Sequence, residues 1–171
     1  MSGISIDFNL ADNSVTEALG RALARTLPGT ARRGAVLYLD GELGAGKTTC
    51  VRSLLQALGV SGPVRSPTYT LVETYGLASL TCVHVDLYRL QALSEVDELG
   101  LRDMVGPGHL LLVEWPERGG PALPPADVYL SLQYAGDGRQ ASLTAQTALG
   151  SEWLKNLGRD NSLSPYVSNL T

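Results

Sequence analysis

The sequence contains few of the features that stabilise or target a chain by special means. Its two cysteines, Cys50 and Cys82, are too few for a disulfide framework and lack a zinc-binding spacing, so both are expected to be buried apolar side chains. The longest purely apolar run, at residues 35–39, has five residues, whereas a membrane-spanning helix needs about 20. The N-terminal residues lack a basic segment and a long apolar core, which predicts no secretory signal and a cytoplasmic location.

Positive charge is also scarce, and lysine is almost absent. The chain has 13 basic residues against 17 acidic ones, which gives a net charge of −4 and a pI of about 5.1. A protein whose main task is to bind a nucleic-acid backbone needs a basic face, so this balance argues against that task. It still allows a nucleotide in one small positive pocket, and one of the two lysines, Lys47, follows a glycine-rich segment.

Length and patterning predict one domain over residues 1–157 and a polar, flexible tail over residues 158–171. The first helix is predicted to begin at Ser14, where Glu17 would complete a capping box. The predicted helices lie at residues 14–27, 47–58 and 151–157 and from residue 94 onward. The predicted strands lie at residues 35–41, 69–75, 80–87 and 109–115, and a hairpin joins residues 128–134 to 139–145. This alternation predicts an α/β protein with a largely parallel core and antiparallel additions.

The strongest signal for function is GELGAGKT at residues 41–48, which fits the phosphate-loop pattern G-x-x-x-x-G-K-[ST] at every position. Its glycines allow backbone N–H groups to converge on one phosphate, and the helix that follows adds its positive end. The ammonium of Lys47 is expected to neutralise β- and γ-phosphate oxygens, and the hydroxyl of Thr48 to bind Mg²⁺. Thr49 is placed to donate to the α-phosphate. The sequence therefore predicts a nucleotide-binding phosphate loop.

Two carboxylates qualify as the acidic partner that a phosphate loop needs at the end of another core strand. Asp86 ends one apolar strand and Glu114 ends another. Either is able to hold Mg²⁺ while the other orients the attacking water, and the residues alone leave the two assignments open. His84 lies on the same strand face as Asp86 by period-two spacing. A hydrogen-bonded core histidine is favoured there over a proton shuttle.

Two further positions have competing interpretations. Thr68 lies on a proline-stiffened loop, where it is a candidate switch that senses the γ-phosphate or Mg²⁺. The alternative is an ordinary loop rich in hydroxyl groups. Trp115 directly follows Glu114, and it either packs on the nucleotide or a partner, or it covers the core.

Motifs that the sequence lacks narrow the class of nucleotide-binding protein. There is no N-K-x-D segment, so guanine recognition has no visible basis. No arginine-rich lid of the kind that encloses phosphates in small kinases is visible, since Arg89, Arg102 and Arg118 are isolated. An ATPase is therefore favoured over a small-molecule kinase. A nucleotide-gated binding module with negligible hydrolysis is the remaining alternative.

Four sequence blocks together resemble one known family. GELGAGKTT, SPTYTLVETY, HVDLYRL and LLVEWPE follow one another at residues 41–49, 66–75, 84–90 and 111–117. In this combination the chain resembles the bacterial TsaE family (formerly YjeE) over residues 12–149. The resemblance implies a P-loop NTPase-like three-layer sandwich with a largely parallel sheet and antiparallel additions.

The resemblance also implies an activity and partners. It implies an ATPase, weak alone and stimulated by partners, that acts with the TsaB–TsaD pair in making threonylcarbamoyladenosine at position 37 of tRNAs that read codons starting with A. The pair carries the transferase chemistry, and a separate enzyme makes the threonylcarbamoyl-adenylate donor. ATP and Mg²⁺ are the implied cofactors. The resemblance further implies that the tRNA is contacted only indirectly, through the complex, and the sequence predicts no membrane partner.

Roles follow from the resemblance at the matching positions. The residues that it assigns to the nucleotide phosphates are Gly44, Ala45, Gly46, Lys47, Thr48 and Thr49. The residues that it assigns to catalysis are Lys47, Asp86, Glu114 and Thr68, with Thr48 and Glu114 as the Mg²⁺ ligands. Trp115 lies where the family also has a tryptophan beside the acidic residue. Asp12, Gly138 and Arg139 lie where the family closes over the adenosine.

Overall fold

A mixed sheet organises the computed structural model, which describes residues 3–29, 34–67 and 69–171. Within these ranges the sheet has eight strands in the spatial order β3-β4-β5-β2-β6-β7-β1-β8. The strands are β1 (Ser5–Leu10), β2 (Ala35–Gly41), β3 (Val72–Gly76), β4 (Thr81–Asp86), β5 (His109–Glu114), β6 (Val128–Ala135), β7 (Gly138–Ala145) and β8 (Val167–Leu170). The α-helices are α1 (Asn13–Thr26), α2 (Lys47–Ala57), α3 (Leu93–Leu99) and α4 (Ala148–Gly158).

The centre of the sheet is parallel, as the alternation of helices and strands predicted. Strands β4, β5, β2 and β6 are adjacent and pair in parallel. Strand β3 adds to one side in antiparallel pairing, and β7, β1 and β8 extend the other side in the same way. Because parallel strands end at one edge, the carboxyl ends of β2, β4 and β5 lie together. In the pairing register Asp86 is the partner of Glu114.

Two buried clusters lie on opposite faces of this sheet. Leu37 and Leu39 face the cluster that contains α1, α2 and α4, whereas Val36 faces the cluster that contains α3. This alternation along β2 follows from the two-residue period of a strand, and both faces are covered as in other parallel sheets. The three layers confirm the predicted fold class. Within the described ranges, every helix is too short or too polar to span a membrane.

The first helix begins one residue earlier than predicted, and a different side chain caps it. Helix α1 starts at Asn13, and the carboxylate of Asp12 accepts hydrogen bonds from the Oγ of Ser14 at 2.6 Å and the backbone N–H of Val15 at 3.2 Å. Asp12 is therefore the N-cap residue, a role that the sequence assigned to Ser14.

The C-terminal residues differ from the flexible tail that the sequence predicted. Residues Asn161–Tyr166 form a 3₁₀ helix with a buried Leu163, and β8 follows it. Backbone hydrogen bonds of 2.8 and 3.0 Å join Ser5 and Thr171 where β8 pairs with β1. Side chains of β8 are exposed along the whole strand, so the strand has no alternating pattern that could reveal it. Its pairing depends on backbone groups, which every sequence offers.

A glycine in α4 provides a test of this packing. A Cβ added at Gly150 would lie 1.9 Å from the carbonyl oxygen of Asp127, which is a backbone atom and not the end of a flexible side chain. We expect Gly150→Ala to lower the free energy of unfolding by about 2 kcal/mol or more. Urea denaturation measures this. Gly158→Ala, in the same helix, would place its Cβ 3.5 Å from Ile6 and should be close to neutral. Equal stabilities of the two variants would contradict the packing of α4.

Candidate functional site

The glycine-rich loop between β2 and α2 has the backbone conformation that its sequence requires. Gly44 and Gly46 have φ values of 78° and 107°, in the left-handed region that favours glycine. A Cβ at Gly46 would also lie 3.2 Å from the Cγ2 of Thr16. The loop leads directly into Lys47, the first residue of α2. The N-terminal end of α2, with its partial positive charge, therefore lies beside the loop.

A cavity of about 550 Å³ opens beside this loop at the carboxyl edge of the parallel strands. Most of the predicted site residues line it together. These are Gly44, Gly46, Lys47, Thr48, Thr49, Asp86, Glu114, Trp115 and Arg139. The cavity is within the size range of small-molecule and cofactor sites.

Four predicted site residues are not among those that line the cavity. Ala45 is fully buried in the loop, Asp12 caps α1, and Gly138 pairs with Ala135 at the end of the β6–β7 hairpin. Thr68 lies outside the described residues. Beside Asp12, it is Asn13 that lines the cavity.

Lys47 is held against its own loop. Its Nζ donates hydrogen bonds to the carbonyl oxygens of Gly41 and Glu42, the latter at 2.8 Å, and lies 4.1 Å from the centre of the Trp115 ring. Burial lowers the pKa of the ammonium, and the charges of nearby carboxylates, Glu114 first, oppose that shift. The only lysine of the loop thus lies in a mostly buried position at the cavity wall.

Glu114 forms a chain of contacts that starts at the loop. Its Oε1 accepts a hydrogen bond from the Oγ1 of Thr48 at 2.8 Å, and its Oε2 lies 3.3 Å from the Nε2 of His84. Among the described residues there is no cluster of three or more His, Cys, Asp or Glu side chains able to hold a metal ion. Thr48 and Glu114 nonetheless offer the hydroxyl and carboxylate oxygens with which proteins hold Mg²⁺ when phosphates and water complete its shell.

Asp86 has a different environment from Glu114. Its Oδ1 accepts from the backbone N–H of Tyr88 at 2.9 Å, and its Oδ2 accepts from the Oγ of Ser66. It lies beside Glu114 on the neighbouring strand but has no hydrogen bond to Thr48 among the described contacts. Of the two carboxylates that the sequence left as alternatives, Glu114 is therefore the one joined to the phosphate loop.

Trp115 fits both interpretations that the sequence left open. It lines the cavity, and it also packs against the buried cluster on the α3 side of the sheet. Its φ of 58° is rare for a bulky side chain, and such conformations concentrate at functional sites. The ring of Tyr88 lies 5.0 Å from that of Trp115, centre to centre. Trp115 and Tyr88 therefore form an aromatic wall beside Lys47 on one side of the cavity.

Sequence reasoning missed the contacts that the β6–β7 hairpin makes with the loop. The hydroxyl of Tyr134 donates to the carbonyl oxygen of Leu43 at 2.9 Å, and the Nη2 of Arg139 donates to that of Gly44 at 3.0 Å. Arg139 also donates to Asn13 at 3.3 Å. The sequence predicted the hairpin itself, but the contacts depend on β6 lying next to β2.

The phosphate loop at the start of α2, followed by carboxylates at the ends of β4 and β5, defines a protein of the P-loop NTPase fold class. A family model described as "Threonylcarbamoyl adenosine biosynthesis protein TsaE" matches residues 10–142. The chain therefore belongs to the TsaE family, and the resemblance seen in its four sequence blocks is confirmed.

Several relatives share the name "tRNA threonylcarbamoyladenosine biosynthesis protein TsaE". The one from Haemophilus influenzae is 47% identical over 115 residues, which cover 67% of this chain and 73% of that protein. The one from Nostoc is 39% identical over 141 residues, which cover 79% and 83%. The one from Bacillus subtilis is 35% identical over 126 residues, which cover 73% and 78%. These names connect the family with threonylcarbamoyladenosine biosynthesis.

A solved structure extends the similarity to nearly the whole fold. The crystal structure of Bacillus subtilis YdiB matches this chain with a TM-score of 0.72 and 28% sequence identity. The match covers 91% of this chain and 95% of that one.

Proposed function

We propose that this chain hydrolyses ATP with Mg²⁺ and acts in the cytoplasm with the TsaB–TsaD pair to make threonylcarbamoyladenosine at position 37 of tRNAs that read codons starting with A. Hydrolysis resets the complex for the next tRNA. The observation that carries the proposal is the 2.8 Å contact between Thr48 and Glu114, because it joins a complete phosphate loop to an acidic residue at the end of a parallel strand.

Each group at the cavity has a role in this proposal. The loop N–H groups and the N-terminus of α2 bind the phosphates, and Lys47 neutralises their oxygens. Thr48 and Glu114 hold Mg²⁺, which supplies further neutralisation of phosphate charge. Asp86 orients the water that attacks the γ-phosphorus, while the bond to the β-phosphate oxygen breaks. Ser66 and the backbone of Tyr88 hold the Asp86 carboxylate toward the cavity.

Charge supports a protein partner over direct tRNA capture. A net charge of −4 gives no electrostatic attraction for tRNA, and the names of its relatives connect the family with tRNA threonylcarbamoyladenosine biosynthesis. A complex in which other subunits contact the tRNA satisfies both observations.

Trp115 is expected to report nucleotide binding, and Trp153 is not. The Nζ of Lys47 lies 4.1 Å from the Trp115 ring and has to move when it takes up a phosphate contact. Trp153 is fully buried, and its Nε1 donates to the carbonyl oxygen of Leu23 at 3.1 Å. Titrating Trp115→Phe and Trp153→Phe with ATP separates the two signals. A response that survives in Trp115→Phe and disappears in Trp153→Phe would contradict the placement of Trp115.

Reconstitution tests the role in tRNA modification. The mixture contains this chain, the TsaB–TsaD pair, the adenylate donor and tRNA, and the readout is the number of modified nucleosides per complex. We expect slow hydrolysis by the isolated chain, faster hydrolysis with the pair, and repeated modification only when all are present. Partners that order such a site accelerate hydrolysis by about 10³–10⁵ in related systems.

The matched variants are Lys47→Ala and Lys155→Ala, since Lys155 is exposed on α4. As many modification turnovers with Lys47→Ala as with the wild type would contradict the resetting role. Modification that needs ATP binding without hydrolysis would instead favour a nucleotide-gated binding module. Transfer of phosphate from ATP to a metabolite at ordinary kinase rates would favour a small-molecule kinase.

A further inference from the structure

His84 is a polar side chain enclosed in the core beneath the cavity. Its exposed fraction is 0%, and it does not line the cavity. It lies on the face of β4 that packs toward α2, together with Cys82 and with Leu112 of the neighbouring strand. A histidine in such a position cannot contact a nucleotide in the cavity. Its only described polar contact is the one that its Nε2 makes with Glu114, at 3.3 Å.

The hydrogen-bonding roles in this contact follow from chemistry. A carboxylate only accepts hydrogen bonds, so the Nε2 of His84 is the donor and Glu114 the acceptor. The Nδ1 of His84 is buried and has no hydrogen-bond partner among the described residues. Leaving a buried polar atom unpaired costs free energy, so an apolar side chain would suit this part of the core better unless the Nε2 contact were needed. Because the Nδ1 has no described partner, His84 has no described group to which it could pass a proton. This argues against the proton shuttle that the sequence left as an alternative.

The two oxygens of Glu114 are divided between two donors. One accepts from Thr48 at the loop, and the other faces His84 in the core. Glu114 is 1% exposed, so without His84 its Oε2 would have neither water nor a described donor. The carboxylate would then be drawn elsewhere, and Lys47, whose charge interacts with Glu114, is the nearby cation.

We infer that His84 is a positioning residue for Glu114: its Nε2 holds one carboxylate oxygen in the core, so that the other stays at Thr48, where Mg²⁺ is bound. This inference rests on the proposed function, because it assigns His84 to the metal site proposed there. Donors behind a metal-binding side chain fix its orientation in this way, and their loss typically lowers metal affinity or activity about 10–100-fold.

The variants are chosen by where they place a donor. His84→Gln puts an amide N–H₂ near the position of the imidazole Nε2, whereas His84→Asn carries the same amide one methylene short of Glu114. His84→Leu removes the donor and keeps an apolar volume in the core. His109→Gln is the control, since His109 begins β5 at the end of the strand opposite Glu114.

The main measurement is binding, without turnover, of a fluorescent ATP analogue with a non-hydrolysable β–γ bridge to the full chain, titrated with Mg²⁺. We expect His84→Leu and His84→Asn to raise the Mg²⁺ concentration at half-saturation about 10–100-fold. Nucleotide affinity in EDTA should be unchanged, and His84→Gln should restore most of the Mg²⁺ affinity. The thermal unfolding temperature of each variant is measured in parallel. A general loss of packing would lower Mg²⁺ affinity in the Asn and Gln variants alike.

Two other results have distinct meanings. If the wild type shows Mg²⁺-dependent binding and His84→Leu and His84→Asn match it, the positioning role is overturned and the proposed function is untouched. If His84→Asn and His84→Gln lose Mg²⁺ affinity equally, the positioning role is also overturned. If the wild type itself binds the analogue with no dependence on Mg²⁺, the proposed metal site fails, and the role of His84 fails with it.

Discussion

Replacing Lys47 with alanine is expected to abolish ATP hydrolysis and to weaken ATP binding roughly 10–100-fold. The variant lacks the charge-assisted contact to phosphate that we propose for Lys47, which is worth about 1.5–3 kcal/mol. It also loses the hydrogen bonds that the Nζ makes to the loop carbonyls of Gly41 and Glu42, so the loop is less well ordered before the nucleotide arrives. Phosphate release gives the rate, and titration calorimetry gives the affinity.

Lys155→Ala is the matched control for this prediction because it removes the other lysine from an exposed position on α4. It should hydrolyse and bind ATP as the wild type does. A wild-type rate in purified Lys47→Ala would show that the loop at residues 41–48 does not hold the phosphates of a reacting nucleotide.

Removing the charges of Glu114 and Asp86 separately is expected to reduce turnover by two different routes. Glu114→Gln keeps an oxygen that can accept from Thr48 but loses the charge that we propose binds Mg²⁺. The Mg²⁺ dependence of hydrolysis should therefore shift to higher concentration, by at least the roughly 10–100-fold that loss of a side chain behind a metal ligand typically causes. Asp86→Asn should leave that dependence in place and lower kcat, by about 10²–10⁴-fold if its carboxylate acts on the attacking water. Mg²⁺ titration of activity distinguishes the two effects.

The opposite pattern would reverse the assignments. If Asp86→Asn shifts the Mg²⁺ dependence and Glu114→Gln does not, then Asp86 is the metal ligand and the contact between Thr48 and Glu114 does not mark the metal site. Alanine variants at both positions provide a second comparison, in which both should lose activity. Turnover that is unchanged in either alanine variant would remove that carboxylate from the site.

Local chemistry explains why the phosphate loop was predictable. Helix α2 covers Lys47–Ala57 and is only one residue shorter than predicted. The prediction succeeded because the start of the helix and its apolar face depend on residues a few positions apart. The glycines of the loop adopt conformations that other residues rarely adopt. Asp86 and Glu114 meet because each ends an apolar strand of one parallel sheet, and parallel strands end at the same edge.

The elements that were not predicted depend on pairing between distant parts of the chain. Strand β8 is exposed along its length and joins the sheet through backbone hydrogen bonds to β1, so its side chains carry no signal of a strand. Strand β1 was also missed, although its buried Ile6, Phe8 and Leu10 alternate with polar residues. Its partners β7 and β8 both lie more than a hundred residues further along the chain. No local pattern reveals such a partner.

Residue types and short spacings were thus sufficient for the loop, its helix, the two strand-end carboxylates and the α/β class. The network that holds the loop required the folded chain. Tyr134 and Arg139 reach the loop carbonyls across separations of 91 and 95 residues, and they do so because β6 pairs with β2 and not with another strand. His84 reaches Glu114 because β4 and β5 are neighbours. Strand order is set by the total burial and hydrogen bonding of the whole sheet, and these quantities do not exist at the level of a local segment.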